Sequence, residues 1–324
     1  MPAPSALGVD VGGTKLLAVR MNADGSATTE TTQHSPKDGP SLVAAIRDTV
    51  DRYCDGSVPA IGVGVPGLVD EVGTVRFAPN LHGLSGHELK PALESAFAGS
   101  AIWVGNDATG ACWGERTRGA AVGSDEVLMV TLGTGIGGGI VSGGLLLEGA
   151  HRYAGEFGHM VIDPNGPLCP CGKKGCWERF ASGSGLGVLA REAALAGTAD
   201  RLVELAGGDP EAVRGEHVTA AAAEGNRSAQ EIMDRFAWWV ALGLSNLANI
   251  LDPELIVIGG GLITSGDVLM TPIRRAFNEL VEAPEARTRL RMVPAALGAA
   301  AGAIGAALRA ETEVNAGGAG VPVK

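Results

Sequence analysis

The residues of this sequence best suited to metal chemistry are three closely spaced cysteines preceded by a histidine. They are His159, Cys169, Cys171 and Cys176. Three thiolates and one imidazole complete a tetrahedral zinc shell without an open position, which is typical of a structural site. Gly172 and Gly175 permit the tight path that returns the last cysteine to the metal. Unrelated thiols in a surface loop are the alternative, but three cysteines rarely cluster so tightly by chance.

A glycine turn near the start of the chain is suited to binding phosphate. It is made of Asp10, Gly12, Gly13, Thr14 and Lys15. Backbone N–H groups must approach a phosphate closely, which requires residues without bulky side chains. Lys15 adds a positive charge, and Asp10 is placed to hold Mg²⁺ through water. An ordinary hairpin explains this turn equally well when the turn is considered alone.

A second glycine turn contains Gly133, Thr134 and Gly135. Together with Gly138, its glycines match G-x-G-x-x-G, the pattern of dinucleotide-binding proteins. That pattern requires a helix immediately after the turn, whereas the segment that follows here predicts a strand and another turn. We therefore reject the NAD-binding class. The P-loop pattern G-x-x-x-x-G-K-[ST] does not occur in the sequence.

Asn106 and Asp107 follow the apolar segment AIWVG, which predicts a strand, and precede a predicted helix over 108–118. Open α/β sheets place their chemistry at the carboxyl ends of strands. Asp107 is therefore a candidate to accept the proton of a hydroxyl group in a phosphoryl transfer. The competing interpretation is a helix N-cap, which is the commoner reason for an aspartate before a helix.

The elements that position these residues follow an α/β pattern in which the opening motif occurs twice. Both glycine turns are flanked by apolar segments, so each predicts strand, turn and strand. Aligning Val11–Thr14 with Leu132–Gly135 superimposes the two turns and predicts an internal duplication. Ser41 is predicted to cap the first helix, and a final helix is predicted over 297–309. We expect two α/β lobes with the ligand site between them, followed by a disordered tail after Glu311.

The composition argues against several functional classes. The 324 residues include 25 Lys plus Arg and 36 Asp plus Glu, which gives a net charge of −11. Nucleic-acid binding depends on a basic face, so this balance argues against it. We find neither an uninterrupted apolar stretch of membrane-spanning length nor the positive region of a signal peptide. We therefore expect a cytoplasmic protein without nucleic-acid or membrane partners. Cys54 and Cys112 are predicted to be buried as small apolar residues.

Three motifs, DVGGTK, LGTGIGGG and IVIGGG, resemble in order and spacing those of the actin-like ATPase fold. More narrowly, the sequence from about Leu7 to Ala307 resembles the ROK family of repressors and kinases, and within it the bacterial glucokinases. The resemblance implies a two-lobed α/β fold, similar to hexokinase and ribonuclease H, with a structural zinc loop. It also implies phosphorylation of glucose at the 6-hydroxyl, with Mg-ATP as the donor. We expect a small lobe of residues 1–107 plus about 298–324 and a large lobe of residues 108–297.

The same resemblance assigns roles to the residues that match the family's motifs. Those expected to bind the nucleotide are Asp10, Gly12, Gly13, Thr14, Lys15, Gly133, Thr134, Gly135 and Gly260. Those expected to bind the sugar are Gly67, Asn106, Asp107, Glu156, His159 and Glu178, with Asp107 as the catalytic base. By residue type alone, Glu156 and Glu178 are equally well explained as surface acids. A loop fixed by zinc would instead hold the two acids at a defined separation.

Three alternatives belong to other classes or specificities. A repressor of the family would carry a helix-turn-helix segment before DVGGTK, and only nine residues precede Asp10. A polymer-forming actin-like ATPase would not need Asn106 and Asp107 beside a zinc loop. A kinase for fructose, N-acetylglucosamine or N-acetylmannosamine stays open, because the sugar-binding motifs are shared across the family. The resemblance also suggests a homodimer or homotetramer.

Overall fold

A computed structural model describes residues 4–79 and 81–318 of the chain. The chain divides into two compact units. Unit 1 comprises Met1–Asp125, Gly139–Gly155 and Ala296–Lys324, and unit 2 comprises Glu126–Gly138 and Glu156–Ala295. The lobe boundaries expected from the sequence, near residues 107 and 298, stay a proposal.

Two five-stranded sheets organise the fold. The strands are β1 (Pro4–Val11), β2 (Lys15–Asn22), β3 (Ala27–His34), β4 (Ala60–Val65), β5 (Leu68–Val69), β6 (Val75–Phe77), β7 (Ala101–Asn106), β8 (Val127–Leu132), β9 (Ile136–Ser142), β10 (Leu145–Leu146), β11 (Leu255–Gly259) and β12 (Arg291–Pro294). The first sheet has the order β3-β2-β1-β4-β7, and the second has the order β10-β9-β8-β11-β12. In each sheet the strand before the glycine turn (β1 or β8) lies next to the strand after the turn (β2 or β9). Its other neighbour is a strand from later in the chain (β4 or β11). The predicted internal duplication is confirmed as a repeated topology.

The strand directions follow from the sequence around each turn. The turn after Val11 reverses the chain, so β1 and β2 pair antiparallel. β4 pairs parallel with β1 on one side and with β7 on the other. Every residue of β4 is buried, as expected for a parallel strand with both faces covered. In unit 2, β11 is likewise parallel to β8 and β12.

The helices connect the strands and cover the sheets. They are α1 (Gly39–Tyr53), α2 (Leu89–Ala96), α3 (Asp107–Arg118), α4 (Glu178–Ala181), α5 (Gly183–Leu195), α6 (Asp200–Leu205), α7 (Gly215–Ala223), α8 (Arg227–Leu251), α9 (Asp267–Leu280) and α10 (Ala301–Gly318). The cap predicted for α1 at Ser41 was wrong, because Asp38 accepts a hydrogen bond from the Ser41 N–H at 2.8 Å. The helix α10 continues past Glu311 to Gly318, so the predicted disorder does not begin there. The rest of the predicted tail, residues 319–324, lies outside the described residues.

Helix α10 packs closely against the first sheet at positions occupied by glycine, which has no side chain. A Cβ added at Gly8 would overlap the carbonyl oxygen of Ala303, and one at Gly62 would overlap that of Ala306. Against α3, a Cβ at Gly305 would overlap the carbonyl oxygen of Gly110. Glycine at position 305 therefore allows α10 to pack closely against α3. Among the residues described, no helix is long and apolar enough to cross a membrane.

Candidate active site and metal centre

The first glycine turn is closed by its own backbone and by two side chains from beyond β3. The Gly12 N–H donates to the Lys15 carbonyl at 2.8 Å. Ser35 Oγ donates to the Gly12 carbonyl at 2.5 Å, and Lys37 Nζ donates to the Gly13 carbonyl at 2.9 Å. The turn therefore carries a second cation, Lys37, besides Lys15. Sequence reasoning missed it because nothing in the local pattern links Lys37 to a turn so far along the chain.

Asp107 is the first residue of α3, directly after β7. The N-cap is Asn106, whose Oδ1 accepts from the Thr109 N–H at 2.9 Å. Asp107 Oδ1 accepts from the Ala108 N–H at 2.8 Å, which leaves its second carboxylate oxygen for another partner. The competing interpretation of Asp107 as the cap is therefore wrong, since its neighbour fills that role.

Asn106 also contacts another predicted sugar-binding position, Gly67. Asn106 Nδ2 donates to the Gly67 carbonyl at 3.2 Å. Gly67 has a φ of +140°, and a Cβ there would overlap the carbonyl oxygen of Phe77. Backbone geometry and the lack of space both require glycine at this position. The structure thus brings together Gly67, Asn106 and the catalytic candidate Asp107.

Asp10 and Asp107 are partly covered carboxyl groups that influence each other. Desolvation, and after it the charge of Asp107, raises the pKa of Asp10 to about 7. Burial raises the pKa of Asp107 as well. Two carboxylates in such surroundings are stabilised by a shared cation. Asp10 lies against Gly302 of α10, where an added Cβ would come within 2.6 Å of Asp10 Oδ2. The residues present therefore fit Mg²⁺ at Asp10.

In unit 2, the second glycine turn is held by the start of α5 and by the end of β11. The Gly183 N–H donates to the Gly133 carbonyl at 2.7 Å, and Ser184 Oγ donates to the Thr134 carbonyl at 2.8 Å. Gly260 has a φ of +85°, and a Cβ there would overlap the carbonyl of Leu132. The predicted nucleotide-binding glycines of this unit thus lie together. Because β9 follows the turn, rejection of the dinucleotide pattern is confirmed.

The four predicted metal ligands meet in unit 2. One ligand atom from each of His159, Cys169, Cys171 and Cys176 lies within 4.8 Å of all the others. The Cys171 and Cys176 sulfurs are 3.6 Å apart, and Cys169 Sγ is 3.8 Å from His159 Nδ1. A tetrahedral zinc ion with bonds of about 2.3 Å separates its ligands by roughly 3.8 Å. The donor set and its spacing therefore fit a structural zinc ion with no open position.

Glycines and a buried tryptophan shape the metal loop. Gly172 and Gly175 have φ values of +87° and +73°, and a Cβ at Gly175 would overlap the carbonyl oxygen of Asp163. The predicted role of both glycines in the path of the loop is confirmed. Trp177, which follows the last cysteine, is fully buried and donates from Nε1 to the Trp239 carbonyl at 2.8 Å. Sequence reasoning missed this anchor because a lone tryptophan predicts only burial.

Two carboxylates face the metal ligands. Glu178 Oε1 accepts from Cys169 Sγ at 3.0 Å and lies 3.8 Å from His159 Nδ1. Glu156 Oε2 lies 3.9 Å from His159 Nε2. The histidine therefore presents one ring nitrogen to the cysteines and the other to Glu156. Glu178 is also close to the second glycine turn, since a Cβ at Gly135 would lie 2.7 Å from its Oε2.

The repeated sheet, the two glycine turns and the cysteine-rich loop place this protein among the two-sheet α/β proteins with a structural metal centre. Comparison with known proteins defines it further. The sequence model of the ROK family matches residues 6–313 of this chain. The chain belongs to the ROK family, and the mixed α/β fold with a zinc-binding loop predicted from the sequence is confirmed.

Its relatives and structural neighbours include glucokinases. The chain is 37% identical over 305 residues to a glucokinase of Streptomyces coelicolor, covering 93% of this chain and 96% of that protein. It is 36% identical over 280 residues to a glucokinase of Thermotoga maritima, covering 85% and 87%. A crystal structure of a ROK glucokinase from Streptomyces griseus, in complex with glucose and AMPPNP, superposes with a TM-score of 0.84 at 37% identity. That match covers 95% of this chain and 99% of the other.

Proposed function

We propose that this protein transfers the γ-phosphoryl group of ATP to the 6-hydroxyl of glucose, giving glucose 6-phosphate and ADP. The observation that carries the proposal is the position of Asp107 directly after β7, in a chain similar to glucokinases. Asn106 caps the helix α3, so the Asp107 side chain is not used as the cap. A carboxylate there is suited to accept a proton from a bound hydroxyl.

In the proposed reaction, Asp107 accepts the proton of the glucose 6-hydroxyl. The oxygen then bonds to the γ-phosphorus, and the bond from that phosphorus to the oxygen bridging to the β-phosphate breaks, so ADP leaves with the electron pair. Asn106 and the backbone of Gly67, which are hydrogen-bonded to each other, orient the sugar beside Asp107. The raised pKa of Asp107 makes it a stronger proton acceptor once it is ionised.

The first glycine turn contributes to binding the phosphates in this proposal. The transferred phosphoryl group is bound by the backbone of Gly12, Gly13 and Thr14 and by the Lys15 ammonium. Asp10 would hold Mg²⁺ through water. A magnesium ion held by Asp10 would neutralise negative charge on the phosphates. Lys37, which donates to the Gly13 carbonyl, fixes the shape of the turn. In unit 2, Gly133, Thr134 and Gly135 bind phosphate by their backbone, and Gly260 lies against the nucleoside.

The metal loop of unit 2 recognises sugar hydroxyl groups. Cys169 donates to Glu178 Oε1 when its thiol is protonated. A zinc-bound thiolate has no proton to donate, so the Glu178 carboxylate becomes available to hydroxyl groups of the sugar. His159 directs its second nitrogen toward Glu156. A zinc ion held by these four ligands would order the loop without taking part in the chemistry, since four protein ligands complete a structural shell.

The test is sugar-dependent ADP release by purified protein with Mg-ATP. Glucose is expected to give the highest kcat/KM in a panel with fructose, N-acetylglucosamine and N-acetylmannosamine. The product is identified as the 6-phosphate by its oxidation with glucose-6-phosphate dehydrogenase. A preference for another sugar by tenfold or more, about 1.4 kcal/mol in transition-state binding, would replace glucose by that sugar. ATP hydrolysis that does not respond to any sugar would refute the kinase assignment.

Several further expectations stay predictions. They are a homodimeric or homotetrameric assembly, a cytoplasmic location, and the lack of nucleic-acid or membrane partners. Light scattering of the purified protein, with and without sugar, measures the assembly directly.

A further inference from the structure

Glu115 is a fully buried carboxylate in α3 whose hydrogen bonds come from backbone groups. Its Oε2 accepts from the Ala120 N–H at 2.7 Å and from the Ala296 N–H at 3.1 Å. Its Oε1 accepts from the Leu297 N–H at 2.8 Å. The side chain is 0% exposed. Desolvating a carboxylate is unfavourable by several kcal/mol unless such donors compensate for the lost water.

The three N–H donors to Glu115 lie in two separate segments of unit 1. Ala120 follows α3 itself, whereas Ala296 and Leu297 are the first residues of the last segment of unit 1. They follow β12 after one intervening residue, Ala295, and lead toward α10. Glu115 therefore joins the C-terminal half of α3 to the backbone from which α10 begins. Gly119 leaves the space for this contact, since a Cβ there would overlap the Glu115 carboxylate.

Each of these two helices contains or contacts one carboxylate of the candidate active site. Helix α3 begins with Asp107, and α10 presents Gly302 to Asp10. The two helices also touch through backbone, because a Cβ at Gly114 would lie 2.8 Å from the Ala301 carbonyl oxygen. A shift of α10 along α3 would thus change the placement of Asp10 relative to Asp107. Glu115 is the side chain that fixes this register by charge-assisted hydrogen bonds, which are about twice as strong as neutral ones.

We infer that Glu115 is a positioning residue for the phosphoryl transfer, which acts by holding the start of α10 against α3 and so keeping Asp10 and Asp107 in register. This inference rests on the function proposed above. A displacement of about 1 Å at a reacting group lowers turnover by up to about 10²-fold. The effect is therefore expected in kcat more than in the KM for glucose.

The experiment compares Glu115→Gln with the unmodified protein at a temperature where both are folded. Glutamine has nearly the same shape but one acceptor oxygen, so its NH₂ group opposes a backbone N–H. We expect kcat to fall by at least about tenfold and the KM for glucose to change by less than about threefold. Deuterium exchange is expected to be faster in peptides covering residues 296–302. The matched control is Leu42→Ala in α1, a fully buried residue of the same unit, which is expected to lower Tm with normal kcat.

The possible outcomes separate this inference from the proposed function. If the unmodified protein does not phosphorylate glucose, the proposed function fails. If it does, and Glu115→Gln keeps normal kcat, the inference is overturned whether or not Tm falls. Should Glu115→Gln fail to fold, Glu115→Asp keeps the charge and shortens the side chain by one methylene. Normal kcat and normal exchange of residues 296–302 in Glu115→Asp would equally overturn the inference.

Discussion

Asp10 and Asp107 lie close enough for their carboxyl groups to influence each other. Desolvation, and after it the charge of Asp107, raises the pKa of Asp10 to about 7. Asp10 lies in β1, and Asp107 begins α3 directly after β7, another strand of the same sheet. Neither has a basic partner among the hydrogen bonds and ion pairs of the described residues. The pair is therefore an incomplete electrostatic arrangement that a divalent cation would complete.

The first prediction concerns the pH dependence of stability without metal. Folded protein keeps a proton on Asp10 between the ordinary pKa of 3.8 and about 7, whereas the unfolded chain does not. The folded state binds more protons in this window, so the free energy of unfolding falls as pH rises through it, by up to about 1 kcal/mol per unit. Asp10→Asn is expected to flatten the curve, and Mg²⁺ to reduce the fall in the unmodified protein.

Urea unfolding at pH 5, 6, 7 and 8, with EDTA and then with Mg²⁺, measures this difference. Because other groups titrate in the same range, the quantity compared is the difference between the two proteins at each pH. Parallel curves for Asp10→Asn and the unmodified protein would contradict the raised pKa.

The second prediction concerns Asp107→Asn. The variant keeps the size of the side chain and its amide oxygen can still accept from Ala108, but it cannot take up a proton. We expect kcat to fall by at least about 10²-fold with Tm within a few degrees, since Asn106 caps α3. Steady-state kinetics and calorimetry measure the two quantities. A folded variant with more than a tenth of normal kcat would show that Asp107 is not the base.

The third prediction concerns zinc. Purified protein is expected to contain about one zinc ion per chain, because the four ligands form a single closed site. Cys171→Ser is expected to lose the metal, lower Tm and raise the KM for glucose more than it lowers kcat. Cys54→Ser is the matched control, since Cys54 is buried in the core of unit 1. It is expected to lower Tm and to keep the zinc. Elemental analysis finding no zinc in protein prepared without chelators would refute the site.

The fourth prediction concerns Gly302→Ala. Alanine ordinarily favours a helix over glycine by up to about 1 kcal/mol, but here its Cβ would lie 2.6 Å from Asp10 Oδ2. Asp10 or α10 must shift, so we expect kcat to fall by roughly tenfold and the Mg²⁺ concentration for half-maximal rate to rise. Gly187→Ala in α5, where the nearest atom is 3.5 Å away, is the control. Equal kinetics of the two variants would exclude contact between Gly302 and Asp10 as a functional feature.

Local patterns predicted the parts of the site that lie within short segments. The glycine turns, the end of β7 and the cysteine loop each combine residue types whose spacing restricts the chemistry, and the structure has them in the predicted elements. At Asp107, one neighbour decides the question of the helix cap, because Asn106 caps α3 instead. The N-cap of α1 was misassigned because Asp38 and Ser41 both suit a helix start.

The features that could not be predicted join residues far apart in the chain. Glu115 and Leu297 are separated by 182 positions, and Gly302 meets Asp10 across nearly the whole sequence. By residue type, a lone glutamate in a helix predicts a solvated surface position, because a single sequence carries no information on long-range pairing. Lys37 was missed for the same reason. Long-range contacts of this kind become visible only in the folded structure.

The helix α10 follows every strand of both sheets in the chain, and this order has a consequence for biosynthesis. Its glycine-lined contacts with β1 and β4 cannot form until residues after Ala301 have been made. Because synthesis adds about 5–20 residues per second, one face of the first sheet stays uncovered for tens of seconds. Unit 2 ends at Ala295, so its segments are complete before unit 1, although the chain begins with unit 1. The nascent chain therefore exposes an apolar sheet face, including Trp103 and Val19, to which chaperones can bind until α10 has been made.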